Sequence, residues 1–200
     1  MLSKALKTAS LVAVVGSFSN ATLAEPVTYE IDPSHTYPSF ETDHLGLSLW
    51  RGKIAKSSGT IVFDKVAETG TVTVEMDMAS INFSHEGMNK SARENILNVE
   101  EYPSATYTGA LTGFVNGSPT KVDGQLTMHG VTQDVDLDIN RFKCQPHIRE
   151  ERETCGADAS AMIDRADFGI NFGVDRGHLT EVKLLISIEA NSPKAEKSES

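Results

Sequence analysis

The sequence predicts an all-β protein: an antiparallel barrel or sandwich of eight or more short strands carrying one short α-helix. Three observations predict it. Apolar and polar residues alternate with a period of two over long stretches, the pattern of strands with a single buried face. Gly and Asn recur at hairpin spacing between those stretches. One stretch has helical spacing instead. Propensity does not choose between sandwich and barrel.

Met1 to Ala24 read as a secretory leader. Lys4 and Lys7 form a positive start, Leu11 to Phe18 a short apolar core, and Thr22-Leu23-Ala24 a small-residue cleavage site, with Ser19-Asn20-Ala21 a second one. The apolar run is too short to span a bilayer. Removing 24 of 200 residues leaves 176, a size for one domain, here 25–190. The leader holds two basic residues and no acid, so net charge moves from −10 to −12. Such a balance argues against nucleic acid and anionic membrane surfaces, both of which favour basic patches.

The strands follow in order. Tyr29–Ile31, Ser34–Leu45 and Gly59–Asp64 read as the first, with Trp50 beside Arg51 and Gly52 at a rim or a bend. Glu68-Thr-Gly70 marks a turn. Val72, Val74, Met76 and Met78 then alternate with Thr71, Thr73, Glu75 and Asp77. The helix comes next: Ser91-Ala-Arg-Glu94 fits a capping box ahead of Asn95–Val99, Ala92, Ile96 and Val99 share a face, and Pro103 ends it. Thr106–Val115 and Asp123–Met128 read as strands, with turn signals at Asn116-Gly-Ser-Pro119, Asp123-Gly124 and His129-Gly130. Val135, Leu137 and Ile139 alternate with Asp134, Asp136 and Asp138. Asp158–Ile163 is a further strand, Asp164–Asp167 a single helical turn, and Val182, Leu184, Ile186 and Ile188 the inward face of the last strand. The segment 191–200, rich in Ser, Lys and Glu, is expected to be a disordered tail.

Cys144 and Cys155 flank a polar segment that reads as a hairpin tip. In an oxidising compartment an even pair is expected to be bridged, and the spacing lacks the C-x-x-C arrangement of redox pairs. The six histidines are scattered, none three or four residues from another, and no zincin, nucleophile-elbow, P-loop or dinucleotide signature is present. No catalytic residue and no metal site is singled out, and the chain is not expected to be an enzyme. His44 shares parity with Phe40 and Thr42. It reads either as a hydrogen-bonded core histidine near a strand end or as a polar contact to a ligand head group. Met76, Met78 and Met128 read either as gap-filling core or as the soft lining of a cavity.

Four fragments carry more than their periodicity: Tyr29-Glu-Ile-Asp32, Glu100-Glu-Tyr-Pro103, Leu126-Thr-Met-His-Gly-Val-Thr132 and Asp164-Arg-Ala-Asp-Phe-Gly-Ile170. In this order and spacing the chain resembles the YceI-like family from about Val27 to Ala190. The resemblance implies an extended, lipocalin-like antiparallel barrel whose long pore holds a polyisoprenoid chain, such as a polyprenyl phosphate or an isoprenoid quinone. It implies a periplasmic carrier with no cofactor beyond the bound lipid and no nucleic-acid partner. A transient contact with an inner-membrane protein and a homodimer are both left open. Phe142-Lys-Cys144 through Cys155-Gly-Ala-Asp158 is similar to a cysteine-containing subgroup. Gln133 stands where many relatives carry Arg, and Asn89–Asn98 lacks their Arg-Asp pair. Strand parity nominates Phe40, His44, Val74, Met76, Met78, Leu126, Met128, Leu184 and Ile186 as ligand-binding pore residues, and the motif adds Phe168. The rival expectation is an exported interaction protein whose barrel is packed with its own side chains.

Overall fold

The computed structural model describes residues 25–195. The leader read over Met1–Ala24 and positions 196–200 lie outside the described residues. Twelve strand segments make eight staves. β1 (Val27–Ile31) and β2 (Tyr37–His44) form one bent stave, and β3 (Ser48–Ile54) and β4 (Ser57–Asp64) the next. β5 (Thr69–Asp77) is continued by β6 (Ile81–Asn82) after a 3₁₀ turn at Met78–Ser80. Helix α1 (Glu86–Ser91) leads to β7 (Ser104–Thr112), then β8 (Lys121–Met128). β9 (Val131–Asp134) and β10 (Leu137–Pro146) share a stave, followed by β11 (Glu153–Asp164) and β12 (Glu181–Asn191).

Neighbours around the sheet run β1-β4-β5-β7-β8-β10-β11-β12, and β12 returns to pair with both β1 and β2. Ile31 lies opposite Ala190, and Tyr37 opposite Ser187. The sheet is therefore a closed eight-stave antiparallel barrel, and closure removes the edges a sandwich would leave. The alternating apolar faces turn inward: Val72, Val74 and Met78 are buried while Thr71, Thr73 and Glu75 are exposed.

One end of the barrel is sealed. Phe63 is 2 % exposed, and its ring lies 5.7 Å from Phe142 and 6.2 Å from Phe114. Cys144 and Cys155 sit directly opposite on β10 and β11 at this end and form the disulfide, with Cα atoms 4.0 Å apart. The last strand reaches Asn191, where Thr154 Oγ1 donates to Asn191 Oδ1 at 2.6 Å. The next residues continue this bonding, with the Ser192 and Ala195 amides donating to the carbonyls of Glu153 and Glu151.

Two local expectations are corrected. The helix starts at Glu86, capped by His85, whose ring Nδ1 accepts from the Met88 amide at 3.3 Å; Ser91 lies inside the helical run and makes no capping bond. His85 is extended and supplies the acceptor that the first free amides require. The chain continues through one wide turn in which the Leu97 amide reaches the Ala92 carbonyl. Asp123-Gly124 is not a turn but the middle of β8. Gly124 pairs with Gly109, and a Cβ on Gly124 would sit 2.2 Å from Tyr107 Oη. This glycine makes room for a ring rather than bending the chain.

Candidate ligand-binding cavity

Inward parity leaves a cavity of about 500 Å³ along the barrel axis. Nine of the ten nominated residues line it: Phe40, His44, Val74, Met76, Met78, Leu126, Met128, Leu184 and Ile186. Phe168 does not. It is 1 % exposed within the 3₁₀ turn Arg165–Phe168, and its carbonyl oxygen lies 3.1 Å from His129 Nδ1. Its ring belongs to the buried core instead of the cavity lining.

The sequence reading missed several lining residues. Phe142 is one, because parity counted from Leu137 and Ile139 places it outside. The register shifts between Ile139 and Arg141, and this bulge turns Phe142 inward. Phe40 crosses the wall opposite Gly52, where a Cβ would come within 2.5 Å of its Cζ. Glycine there lets the ring lie flat over the neighbouring strand. Met88, Ser91, Ala92, Ile96 and Leu97 bring the helical segment into the lining where β6 and β7 are not paired.

Two tyrosines contribute rings and dispose of their hydroxyls in the wall. Tyr107 Oη donates to the Val135 carbonyl at 2.9 Å, and Tyr29 Oη to Glu153 Oε2 at 2.6 Å. Burial, aided by Asp136 and Asp123, pushes the Tyr107 phenol well above its ordinary range, so it stays a neutral donor. The same holds for Tyr29, through burial and then Glu153. The middle of the cavity is thus almost wholly apolar.

Polar groups gather at the other end. His44 stacks on Trp50 with ring centroids 3.7 Å apart and faces His178 at 5.6 Å. All three line the cavity, as do Phe172 and Leu179, which are also 39 % and 54 % exposed. Lining residues that reach solvent mark this end as the mouth. The core-histidine reading of His44 is not what the structure shows: its ring faces an indole and a second imidazole at the opening.

Arg165 builds the loop around that opening. Its guanidinium donates to the carbonyls of Ile170, Phe172 and Leu179, at 2.5, 2.9 and 3.3 Å. Burial lowers its pKa, partly offset by Asp164. Asp164 caps the turn by accepting from the Ala166 amide, and it also accepts from Thr180 Oγ1. Three of the four fragments meet here: Tyr102 packs on His129 with centroids 4.2 Å apart, His129 bonds to Phe168, and Gln133 Nε2 donates to the Asp167 carbonyl at 2.8 Å. They brace the mouth; Tyr102, His129, Gln133 and Phe168 do not line the pore.

Comparison with known proteins agrees with this architecture. The family pattern of the YceI-like domain matches residues 29–190. Protein YceI of Salmonella arizonae is 32 % identical over 191 residues, covering 93 % of this chain and 95 % of its own length. Among solved structures, a polyisoprenoid binding domain from Saccharophagus degradans superposes with a TM-score of 0.63 at 18 % identity, covering 84 % of this chain and 99 % of that one. The YCEI protein of Campylobacter jejuni gives 0.62 at 23 % identity, covering 78 % and 90 %. The structural likenesses speak to the barrel; the family pattern and the Salmonella relative speak to descent. This chain belongs to the YceI-like family.

Proposed function

We propose that the protein is a periplasmic carrier that holds a polyisoprenoid lipid in the barrel cavity and does no chemistry on it. The observation that carries this reading is the cavity itself: apolar along its length, sealed by Phe63, Phe114 and Phe142, and open beside His44 and Trp50. Burying one five-carbon isoprene unit yields roughly 3–4 kcal/mol gross, at ~0.8 kcal/mol per carbon. Several units exceed known affinity limits before ordering costs are subtracted, so no strong polar anchor is needed. The polyisoprenoid-binding neighbour supports the ligand class. The rival reading needs a barrel filled by its own side chains, and the cavity gives it no support.

Between an isoprenoid quinone and a polyprenyl phosphate, the mouth favours the quinone. The guanidinium that lines it, Arg165, is committed to three backbone carbonyls, while Trp50 and the two imidazoles offer flat faces to a neutral ring. The leader-like start and the disulfide support an oxidising, exported location.

Native mass spectrometry of protein purified from the periplasmic fraction, followed by organic extraction, tests the reading. A stoichiometric isoprenoid is expected, and its head group separates quinone from phosphate. Protein that stays at its bare mass after incubation with a long-chain quinone or polyprenol would overturn it.

A further inference from the structure

Six exposed apolar side chains crowd the mouth. Leu45, Leu47 and Leu49, at 44 %, 79 % and 52 % exposure, lie on the β2–β3 turn and the start of β3. Phe172, Val174 and Leu179 lie on the loop that Arg165 holds. The two segments adjoin, with Leu45 Cδ2 3.9 Å from the place a Cβ on Gly177 would take. Phe172 and Leu179 also line the cavity, so apolar surface runs unbroken from the pore to the outside. Leu45 holds a φ of 57°, a conformation in which Asn or Gly would be unstrained and a bulky side chain is rare. The sealed end differs: Val66, Val115 and Ile148 are exposed there singly, one on each of three hairpin tips, as surface residues ordinarily are.

Four cations near the mouth have acidic neighbours: Arg51 pairs with Glu41, Arg93 with Glu86, Lys90 with Glu94, and Arg176 stands beside Asp175. Asp43 adds a further negative charge there, turned to the Gly46 amide. The chain as a whole carries −10. An apolar rim whose cations are paired, on an acidic protein, complements a lipid surface without net charge; it offers no basic patch to an anionic bilayer.

We propose that this rim inserts into the interfacial layer of a zwitterionic lipid bilayer and seats the open cavity on the membrane. A long apolar chain then passes between bilayer and pore without crossing water. This purpose rests on the carrier reading; the docking itself is measured without any isoprenoid present.

The test is flotation of protein from the periplasmic fraction with phosphatidylcholine vesicles at low and high salt. Neither Leu47 nor Val174 lines the cavity, so Leu47→Asp and Val174→Asp leave the ligand site intact. Each is expected to lower the bound fraction about tenfold or more, the scale of losing one inserted apolar side chain, while Val66→Asp at the sealed end leaves it unchanged. Binding is expected to be insensitive to salt and unimproved by phosphatidylglycerol. No flotation of the wild type, flotation that needs anionic lipid and vanishes with salt, or indifference to Leu47→Asp would each overturn the proposal. So would a dimer, seen by sedimentation, that Leu47→Asp dissociates, since a second copy would then cover the rim. Vesicle binding by protein that loads neither quinone nor polyprenol would uphold docking and sink the carrier reading alone.

Discussion

Met76→Asp places a carboxyl on the pore wall near the end of β5, between Val74 and Met78. In the empty barrel, water can reach it. A bound isoprenoid chain covers it, and the group must then be neutral, because an unpaired carboxylate in apolar surroundings is far more costly than protonation. Neutralising an aspartate of ordinary pKa about 3.9 costs about 1.36 kcal/mol per pH unit above that value. The cost is about 4 kcal/mol at pH 7, or about 1,000-fold in affinity, and about 1.5 kcal/mol at pH 5, or about tenfold. The penalty should therefore shrink about a hundredfold between pH 7 and pH 5. Trp50 is the only tryptophan and lines the cavity, so quenching of its emission by a long-chain isoprenoid quinone reads binding directly. Thr73→Asp, on the exposed face of the same strand, is the control and should bind as the wild type does. Undiminished affinity of Met76→Asp at pH 7, or an equal loss in Thr73→Asp, would refute the assignment of this face to a lipid pore.

Three further outcomes are expected. Replacing Cys144 and Cys155 together by Ser removes a strap of sequence separation 11. This should cost about 2–3 kcal/mol and lower Tm by about 5–10 °C in calorimetry, and an unchanged Tm would show that the hairpin holds without it. Hydrogen bonds from Ser34 and then His35 hold the Asp32 carboxyl at about 2, below its ordinary value. A depressed folded pKa stabilises above the unfolded value of about 3.9 and is lost as pH falls through about 2. Asp32→Asn should thus be less stable than wild type at pH 7, with the gap in urea midpoint closing between pH 4 and pH 2; a gap constant across that window would count against it. Gly59 has φ 145°, and a Cβ there would lie 2.0 Å from the Thr73 carbonyl oxygen. Gly59→Ala should cost about 3 kcal/mol or more, or prevent folding, and a near-normal unfolding curve would mean that β4 and β5 separate more easily than their register implies.

The wall was legible because a strand repeats every two residues and each stave buries one face. Val74, Met76, Leu184 and Ile186 follow from counting, and the disulfide from an even pair in a polar hairpin. Counting fails wherever the period breaks. The bulge before Arg141 hides Phe142, and β3 escaped notice because Ser48, Leu49 and Trp50 do not alternate. The helix start was displaced because His85 is an uncommon cap, while Ser91-Ala-Arg-Glu94 satisfies the usual pattern without using it. Phe168 was nominated through a motif whose work is to brace the mouth.

The sequence by itself determined the class, the closed-barrel expectation, the inward stripes and the family, since each depends on local period or on the order of short fragments. Only the tertiary structure decided that β12 closes on β1 and β2, that three phenylalanines seal one end, and that His44, Trp50 and His178 meet at the other. Those contacts join residues far apart in the chain. His44 and His178 are brought together by the pairing of β2 with β12 and by a loop pinned through Arg165. No local pattern encodes that distance, because it is set by how many residues each stave spends before it turns.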